Sequence, residues 1–211
     1  MWTLFGSDGS GSAAVEMALM RCAVPFQVKR ASTWEPDSAW EQQLRQVNPL
    51  GQVPTLQFDD GSAMTESAAI LIELGLRHPA SGLLPLDAAA RAQALRGLVY
   101  IAANCYAAIG VIDYPERWLK GGDEASQEQL RLGARARLHG CWSIFADQFA
   151  AAQPFLGGAS PGALDLLAAV VSRWSGTRAH LKQDRPALLA LLQRVEAQPD
   201  LAPVFARHWP G

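Results

Sequence analysis

The chain has 211 residues, 49% of them hydrophobic, which is enough to build a buried core in one large domain or two small ones. Its 18 Lys and Arg residues are nearly balanced by 20 Asp and Glu, and a net charge of −2 with no basic block argues against nucleic acid or an anionic membrane surface as a partner. The three cysteines are widely spaced and odd in number, and we find neither a signal peptide nor an apolar run of ~18 to 20 residues, so we expect a reducing, cytoplasmic location.

The first part of the chain alternates between strand and helix signals. A short apolar run, WTLF, stops at the loop GSDGSGSA (residues 6–13), and apolar residues then recur at helical spacing. The run VPFQVKRA (residues 24–31) predicts a second strand, and SAWEQQLRQV (residues 38–47) predicts a short polar helix. The predicted order is therefore β-α-β-α.

Residues 48–80 add a hairpin and a third helix. The runs TLQF and SAM flank the turn signal DDG, which predicts two antiparallel strands, and ESAAILIELGLR predicts an apolar helix that ends near residue 78. Two strands joined through a helix are parallel, whereas a tight hairpin is antiparallel. We therefore predict a mixed sheet in βαβαββα order with helices on its faces.

The strand signals end there, and from Asp87 onward the chain is rich in Ala, Leu, Arg and Gln. Four segments predict four or five helices, namely AAARAQALRGLVYIAANCYAAI, EASQEQLRLGARARLHGCWSIFADQFAA, ALDLLAAVVSRWSG and RPALLALLQRVEAQ. The composition changes within HPASGLLPLDAA. We predict a domain of residues 1–80, a linker of residues 81–87 and an all-helical domain of residues 88–211 that shares one interface with the first.

Pro54 falls at the start of a predicted strand, where proline removes a hydrogen-bond donor. Only X-Pro bonds adopt cis at small cost, and a cis Val53-Pro54 bond would turn the backbone groups of Val53 outward at a sheet edge, where a peptide-like ligand can bond to them. Downstream, Thr65, Glu66 and Ser67 open the apolar helix, whose free N–H groups and dipole suit a carboxylate. In the alternative, Pro54 simply begins an edge strand, and Thr65 and Glu66 are ordinary capping residues.

The combination of NPLGQVPTL, TES, the βαβαββα order and a helical second half resembles the cytosolic glutathione transferase family over nearly the whole chain. The resemblance implies a thioredoxin-like domain with a cis-proline, an all-helical second domain, and glutathione as a substrate. It implies that Val53, before cis Pro54, pairs its backbone with the cysteinyl part of glutathione, and that Glu66 and Ser67 hold the γ-glutamyl end. Gln52 stands where a polar side chain often helps to hold the ligand, although a solvated loop glutamine is an equal alternative.

The chemistry of such a site is thiol activation, in which a hydroxyl donor stabilises the thiolate of a thiol whose ordinary pKa is ~8.5. The resemblance places this donor, a Tyr, Ser or Cys, in the first loop, where the chain offers Ser7, Ser10 and Ser12 and neither Tyr nor Cys. Serine-type relatives would have the hydroxyl near Gly9 or Ser10, and cysteine-type relatives would have theirs near Gly11. We therefore predict Ser10 as the catalytic residue and Ser12 as the second candidate. The alternative is a flexible loop whose Ser12 caps the first helix.

The remaining cysteines and histidines do not form a recognisable site. A thioredoxin or glutaredoxin activity would need an attacking thiol in the first loop, and none is present there. Cys22, Cys105 and Cys141 fall on apolar helical segments, so we expect them in the core. His139 and His208 stand alone in the sequence without ligand partners, and we assign no metal.

The helical region adds a candidate pocket and a structural motif. We predict an electrophile pocket between the domains, lined by residues of the first long helices: Tyr106, Ile109, Tyr114 and Trp118. The alternative is that these four residues belong to the core between packed helices. The segment FLGGASPGALDLLAAVV resembles a later folding motif of the family, in which a Ser or Thr cap and an Asp three residues on exchange hydrogen bonds. Here Gly162 takes the cap position, and Asp165 is predicted to be a buried structural carboxylate.

The function predicted from this resemblance is that of a glutathione transferase that conjugates the glutathione thiolate to a soft hydrophobic electrophile in detoxification. A relative that uses glutathione for isomerisation, dehalogenation or peroxide reduction is equally compatible with the loop. A non-catalytic binding or regulatory module of the same fold is the alternative, because the first loop lacks Tyr and Cys. The resemblance also implies a twofold homodimer, which the sequence by itself does not show.

Overall fold

The structure is a computed structural model that describes residues 1–31, 40–150 and 154–210. Among these residues, the N-terminal region contains strands and helices in the predicted βαβαββα order. The strands are β1 (Trp2–Gly6), β2 (Phe26–Arg30), β3 (Thr55–Gln57) and β4 (Ala63–Thr65), and the helices are α1 (Ser12–Arg21), α2 (Glu41–Val47) and α3 (Ser67–Arg77). The predicted start of α2 at residues 38 and 39 lies outside the described residues.

The four strands form one mixed sheet in the order β2-β1-β3-β4. β1 and β2 are parallel, with Leu4 opposite Val28, because the helix between them returns the chain to the same end of the sheet. β3 is antiparallel to both β1 and β4, so that Leu56 lies between Leu4 and Met64. This topology confirms the predicted thioredoxin-like fold.

A helical region follows the sheet, as predicted. Its α-helices are α4 (Ala88–Tyr100), α5 (Ala107–Asp113), α6 (Glu124–Phe149), α7 (Ala163–Val171), α8 (Thr177–Asp184), α9 (Pro186–Glu196) and α10 (Ala202–His208). A π-helix, Ile101–Tyr106, joins α4 to α5, and short 3₁₀ helices lie at Pro79–Ser81 and Pro115–Arg117. Asp87 caps the start of α4 by accepting the N–H of Ala90 at 2.8 Å. The predicted domain limits stay a prediction, although residue 88 coincides with this helix start.

The prediction of four or five helices is too low, because seven α-helices lie in the described part of this region. The sequence does not reveal α8 because TRAHLKQD is short and polar, and its buried residues are Thr177 and Leu181. It does not reveal α10 because seven residues with a proline in the first turn are too few to establish a period. The predicted end of the longest helix, at residue 151, lies outside the described residues.

The helix α1 lies at the centre of the molecule and joins its two halves. Every residue from Ser12 to Leu19 is buried, since α1 packs against α3 on one side and against α7 and α10 on the other. Glu16, the carboxylate in this buried helix, lies 3.0 Å from His208 of α10 and also pairs with Arg207. A helix that is apolar nearly all round requires cover on every face. The hydrophobic core therefore runs without a break from the sheet into the helical region.

The cysteines lie where packing leaves them little reactivity. Cys105 and Cys141 are buried, as predicted, whereas Cys22 is only half-buried. Burial raises the pKa of the Cys22 thiol and that of the Cys105 thiol. Both are therefore protonated near neutral pH, which makes them poor nucleophiles.

One helical segment within the described ranges, Ala88–Asp113, is long and apolar enough by length and composition alone to cross a membrane. Counting uninterrupted apolar residues does not detect it, because polar residues such as Arg96 and Asn104 break the run. In the structure the segment packs against α6 and α7, and 39% of its most apolar window is buried. Core helices meet the same two criteria, so length and composition alone do not identify a membrane span.

Candidate functional site

A cleft of about 1340 Å³ lies between the sheet domain and the helical region. Its walls come from the first loop, the turn before β3 and the start of α3 on one side, and from the π-helix and α5 on the other. It brings together ten predicted residues: Ser10, Gln52, Val53, Pro54, Glu66, Ser67, Tyr106, Ile109, Tyr114 and Trp118. Ser7 and Ser12 are not part of its wall, and Asp165 lies in the core of the helical region. The roles assigned to these residues remain predictions.

The turn before β3 is held by a buried asparagine that the sequence analysis does not select. Asn48 donates from Nδ2 to the carbonyl of Gln52 at 3.1 Å and to Thr55 Oγ1 at 3.0 Å. Thr55 Oγ1 in turn donates to the same carbonyl at 2.8 Å. The Val53–Pro54 peptide bond is cis. Within the described residues the N–H and C=O of Val53 make no backbone hydrogen bond, so a peptide-like ligand in the cleft can bond to them.

The start of α3 faces the cleft with Glu66 and Ser67. Glu66 has φ 65° and ψ 110°, a conformation that costs a non-glycine residue about 1–3 kcal/mol and that clusters at functional sites. Among the residues that the structure describes, no side-chain hydrogen bond caps the helix at Glu66, so its first N–H groups are open to a ligand. Together with the helix dipole, these groups favour an anion at this point.

The hydroxyl groups of the first loop are engaged with one another. Ser10 Oγ donates to the carbonyl of Ser7 at 2.7 Å and lies 2.7 Å from Ser12 Oγ. Ser12 Oγ lies 3.1 Å from the same carbonyl and accepts the N–H of Ser7 at 3.2 Å. The exposed fractions of Ser10 and Ser12 are only 6% and 1%. Both hydroxyl hydrogens thus have acceptors inside the loop, and Ser12 ties the loop to α1 instead of facing the cleft.

The hydroxyl of Tyr106 lies directly over Gly11 of the first loop. A Cβ built on Gly11 would overlap this hydroxyl and would lie 3.1 Å from Ser67 Oγ and 3.5 Å from Pro54 Cδ. Trp174 of the helical region packs edge-on against the Tyr106 ring at 5.5 Å and donates its indole N–H to a carbonyl of the first loop at 3.1 Å. Burial raises the pKa of Tyr106, so the phenol is protonated at neutral pH.

The chain is similar to glutathione S-transferases in both sequence and fold. The family model for the glutathione S-transferase N-terminal domain matches residues 12–76. The uncharacterized GST-like protein YncG from Escherichia coli K12 is 28% identical to this chain over 208 residues. The match covers 99% of this chain and 98% of YncG. A solved glutathione transferase homolog from Sulfitobacter, with bound glutathione, is 25% identical with a TM-score of 0.82, covering 97% of this chain and 96% of that one. Residues 12–76 thus match the glutathione S-transferase N-terminal domain, and the whole chain shares the fold of the Sulfitobacter homolog. Glutathione S-transferase GstA of Escherichia coli O157:H7 is 41% identical over 61 residues, which are 28% of this chain and 30% of GstA.

The outer end of the cleft carries charge as well as aromatic rings. Ile109, Tyr114 and Trp118 line it as predicted from the sequence, but so do Asp113 and Arg117. The Arg117 guanidinium lies 3.8 Å above the Tyr114 ring, and burial raises the pKa of Asp113. The electrophile pocket itself stays a prediction, and charged side chains line the cleft beside its aromatic residues. Charged residues close to Tyr114 in the sequence were the available signal.

Arg45 of α2 lines the cleft beside the turn that precedes Pro54. Its guanidinium donates to Glu41 at 3.3 Å, and its side chain is 52% exposed. A guanidinium binds carboxylates through a planar fork of donors, so this part of the cleft suits an acidic group. The sequence gives no hint of this position, because one arginine in a short polar helix forms no motif.

Asp165 lies outside the cleft and is fully buried, at 0% exposure. Its carboxylate accepts the backbone N–H groups of Leu156 at 2.7 Å and of Gly157 and Gly162 at 2.8 Å. Burial raises the pKa of Asp165, while the three donors act in the opposite direction. The carboxylate thus joins the turn before α7 to the first turn of that helix, in keeping with the predicted structural role.

No cluster of three or more His, Cys, Asp or Glu side chains that could hold a metal occurs in the described part of the chain. His139 and His208 stand alone in the sequence, but tertiary packing gives each a neighbour. The His139 ring stacks on that of His180 at 4.6 Å, and His208 Nε2 lies 3.0 Å from Glu16.

Proposed function

We propose that this chain binds glutathione in the cleft and transfers its thiolate to a soft electrophile. The proposal is carried by two binding features that line the same cleft: the unpaired backbone of Val53, and the uncapped start of α3 at Glu66 and Ser67. Further support comes from the Sulfitobacter homolog, whose structure holds glutathione.

Glutathione offers a γ-glutamyl end with a carboxylate and an ammonium, a cysteinyl centre, and a glycyl carboxylate. In the proposed complex the first N–H groups of α3 and the Ser67 hydroxyl bind the γ-glutamyl carboxylate, and Glu66 binds the ammonium. The cysteinyl backbone pairs with that of Val53 as an added strand. Arg45 attracts the glycyl carboxylate, and Gln52 provides a further polar contact.

In the proposed reaction the thiol proton passes to solvent and the thiolate sulfur attacks the electrophilic carbon. A C–S bond forms, and the bond to the leaving group breaks with its electron pair, releasing chloride when the substrate is an aromatic chloride. The electrophile lies against Ile109, Tyr114 and Trp118. The positive charge of Arg117 favours electrophiles that also carry an anionic or nitro group.

Isothermal titration calorimetry with glutathione tests the binding half of the proposal. A hydrogen bond to a charged group contributes about 1.5–3 kcal/mol, so Ser67→Ala should lower the affinity by about tenfold to a hundredfold. Ser62→Ala is the matched control, because Ser62 is exposed in the β3–β4 turn and bonds to Asp60. The absence of saturable binding to the wild-type protein would reject the glutathione site.

A non-catalytic glutathione-binding or regulatory module is the second candidate. It is favoured by the first-loop serines, whose hydroxyls already have acceptors within the loop. Retention on glutathione agarose without turnover of a general aromatic chloride, unaffected by Ser10→Ala and Ser12→Ala, would support the module. The homodimer and the cytoplasmic location remain predictions, and light scattering coupled to size-exclusion chromatography tests the first.

A further inference from the structure

We infer that Tyr106, a residue of the helical region, supplies the hydrogen-bond donor that holds the glutathione sulfur as a thiolate. The inference rests on the proposed function, because it concerns the same ligand in the same cleft. It makes Tyr106 a catalytic residue and replaces the first-loop serines in that role.

The first-loop serines are poorly placed to donate to a ligand. The Ser7 carbonyl lies within hydrogen-bonding distance of both Ser10 Oγ (2.7 Å) and Ser12 Oγ (3.1 Å), and the two hydroxyls lie 2.7 Å from each other. Ser12 also lies outside the wall of the cleft. Donation from Ser10 to a sulfur would require it to give up an internal bond that stabilises the loop.

The Tyr106 hydroxyl occupies the space that a side chain at Gly11 would otherwise fill. A Cβ placed on Gly11 would lie 3.5 Å from Pro54 Cδ and 3.1 Å from Ser67 Oγ, so this space adjoins both residues. Pro54 adjoins the proposed anchor of the cysteinyl backbone, and Ser67 belongs to the proposed γ-glutamyl site. A glutathione molecule bound to both anchors would therefore place its cysteinyl residue, and with it the sulfur, next to the Tyr106 phenol.

The phenol has a hydrogen available for this sulfur. The Gly11 backbone acts as a donor toward the phenolic oxygen, which leaves the phenol's own hydrogen available for donation to the sulfur. Burial keeps the phenol protonated, and the negative charges of Glu66 and Asp113 act in the same direction. A neutral phenol donates to a thiolate, whereas a phenolate would repel it.

The backbone and the packing fix this hydroxyl in place. Tyr106 is the last residue of the π-helix Ile101–Tyr106, and π-helical turns inside α-helices occur frequently at functional sites. On the other side of the ring, Trp174 packs edge-on at 5.5 Å and bonds to the first loop. A donor held in position before the ligand arrives stabilises the thiolate without reorganisation.

The test is a pH titration of the thiolate absorbance of glutathione bound to the full-length protein. Tyr106→Phe removes the hydroxyl and keeps the ring, so we expect the pKa of the bound thiol to rise by about 1 unit, equivalent to about 1.4 kcal/mol. At pH 7 this lowers the thiolate fraction and the turnover rate by up to about tenfold, and the rates of variant and wild type converge at alkaline pH. Tyr100→Phe is the matched control, since its hydroxyl bonds to the carbonyl of Cys141 at 2.9 Å, outside the cleft.

Gly11→Ala provides an independent variant, because its Cβ would displace the Tyr106 hydroxyl while the phenol remains in the protein. Gly11 has φ −60° and ψ −14°, which alanine adopts without strain, so the same rise in thiol pKa is expected. A thiol pKa that is unchanged in Tyr106→Phe, or that rises in Ser10→Ala instead, would overturn the inference. If the wild-type protein shows no glutathione binding by calorimetry, the proposed function itself fails, and the inference fails with it.

Discussion

Replacing Asp165 with alanine removes the shared acceptor of three backbone N–H groups, which lie at 2.7 Å (Leu156) and at 2.8 Å (Gly157 and Gly162). A buried N–H that loses its acceptor costs about 1–3 kcal/mol. Gly162 is buried, whereas Leu156 and Gly157 are half-buried and recover part of their loss by bonding to water. We therefore expect the free energy of unfolding to fall by about 3–5 kcal/mol, a large part of the ~5–15 kcal/mol typical of a domain.

Urea unfolding followed by circular dichroism measures this loss. Asp123→Ala is the matched control, because Asp123 also accepts a backbone N–H, that of Ser126 at 2.8 Å. Asp123 lies at the exposed start of α6, where the loss of a cap costs only about 0.5–2 kcal/mol. Asp165→Asn keeps the shape and one carbonyl acceptor, so its stability should fall between those of alanine and wild type, and it remains measurable if Asp165→Ala does not fold. An Asp165→Ala protein with the wild-type unfolding midpoint would refute the reasoning.

Two further substitutions separate local strain from packing. Glu66→Gly should raise the free energy of unfolding by up to about 1 kcal/mol, because glycine adopts φ 65° without strain. The same variant should bind glutathione more weakly, and urea unfolding and calorimetry measure the two effects. If its stability does not rise, the backbone at Glu66 is not strained. Gly97→Ala should lower stability by about 1–3 kcal/mol despite the better helix propensity of alanine, because its Cβ would lie 2.6 Å from Leu164 Cδ2. Gly133→Ala on α6 is the control, since its Cβ meets open space and should stabilise the helix by up to about 1 kcal/mol.

Much of the fold could be predicted because its signals are local. The parallel pair β1 and β2 follows from two apolar runs joined by a helix, and the β3–β4 hairpin follows from one DDG turn. The same holds for the part of the candidate site contributed by Val53, Pro54, Glu66 and Ser67, which come from neighbouring segments of the chain. The polar α8 and the seven-residue α10 lack such signals, because packing against other helices and not periodicity stabilises them.

The sequence by itself determined the βαβαββα order of the N-terminal region and the segment around Pro54, because proline, turn residues and apolar periods act within a few residues of one another. The tertiary structure alone decided which hydroxyl from the helical region lies over the first loop. Tyr106 contacts Gly11 because α1 packs against both the sheet domain and the helical region. Trp174 packs against the Tyr106 ring and thereby helps to hold the phenol next to the first loop. A hydroxyl from the other half of the molecule therefore occupies the space that this glycine leaves open. No local pattern encodes such a contact between distant residues.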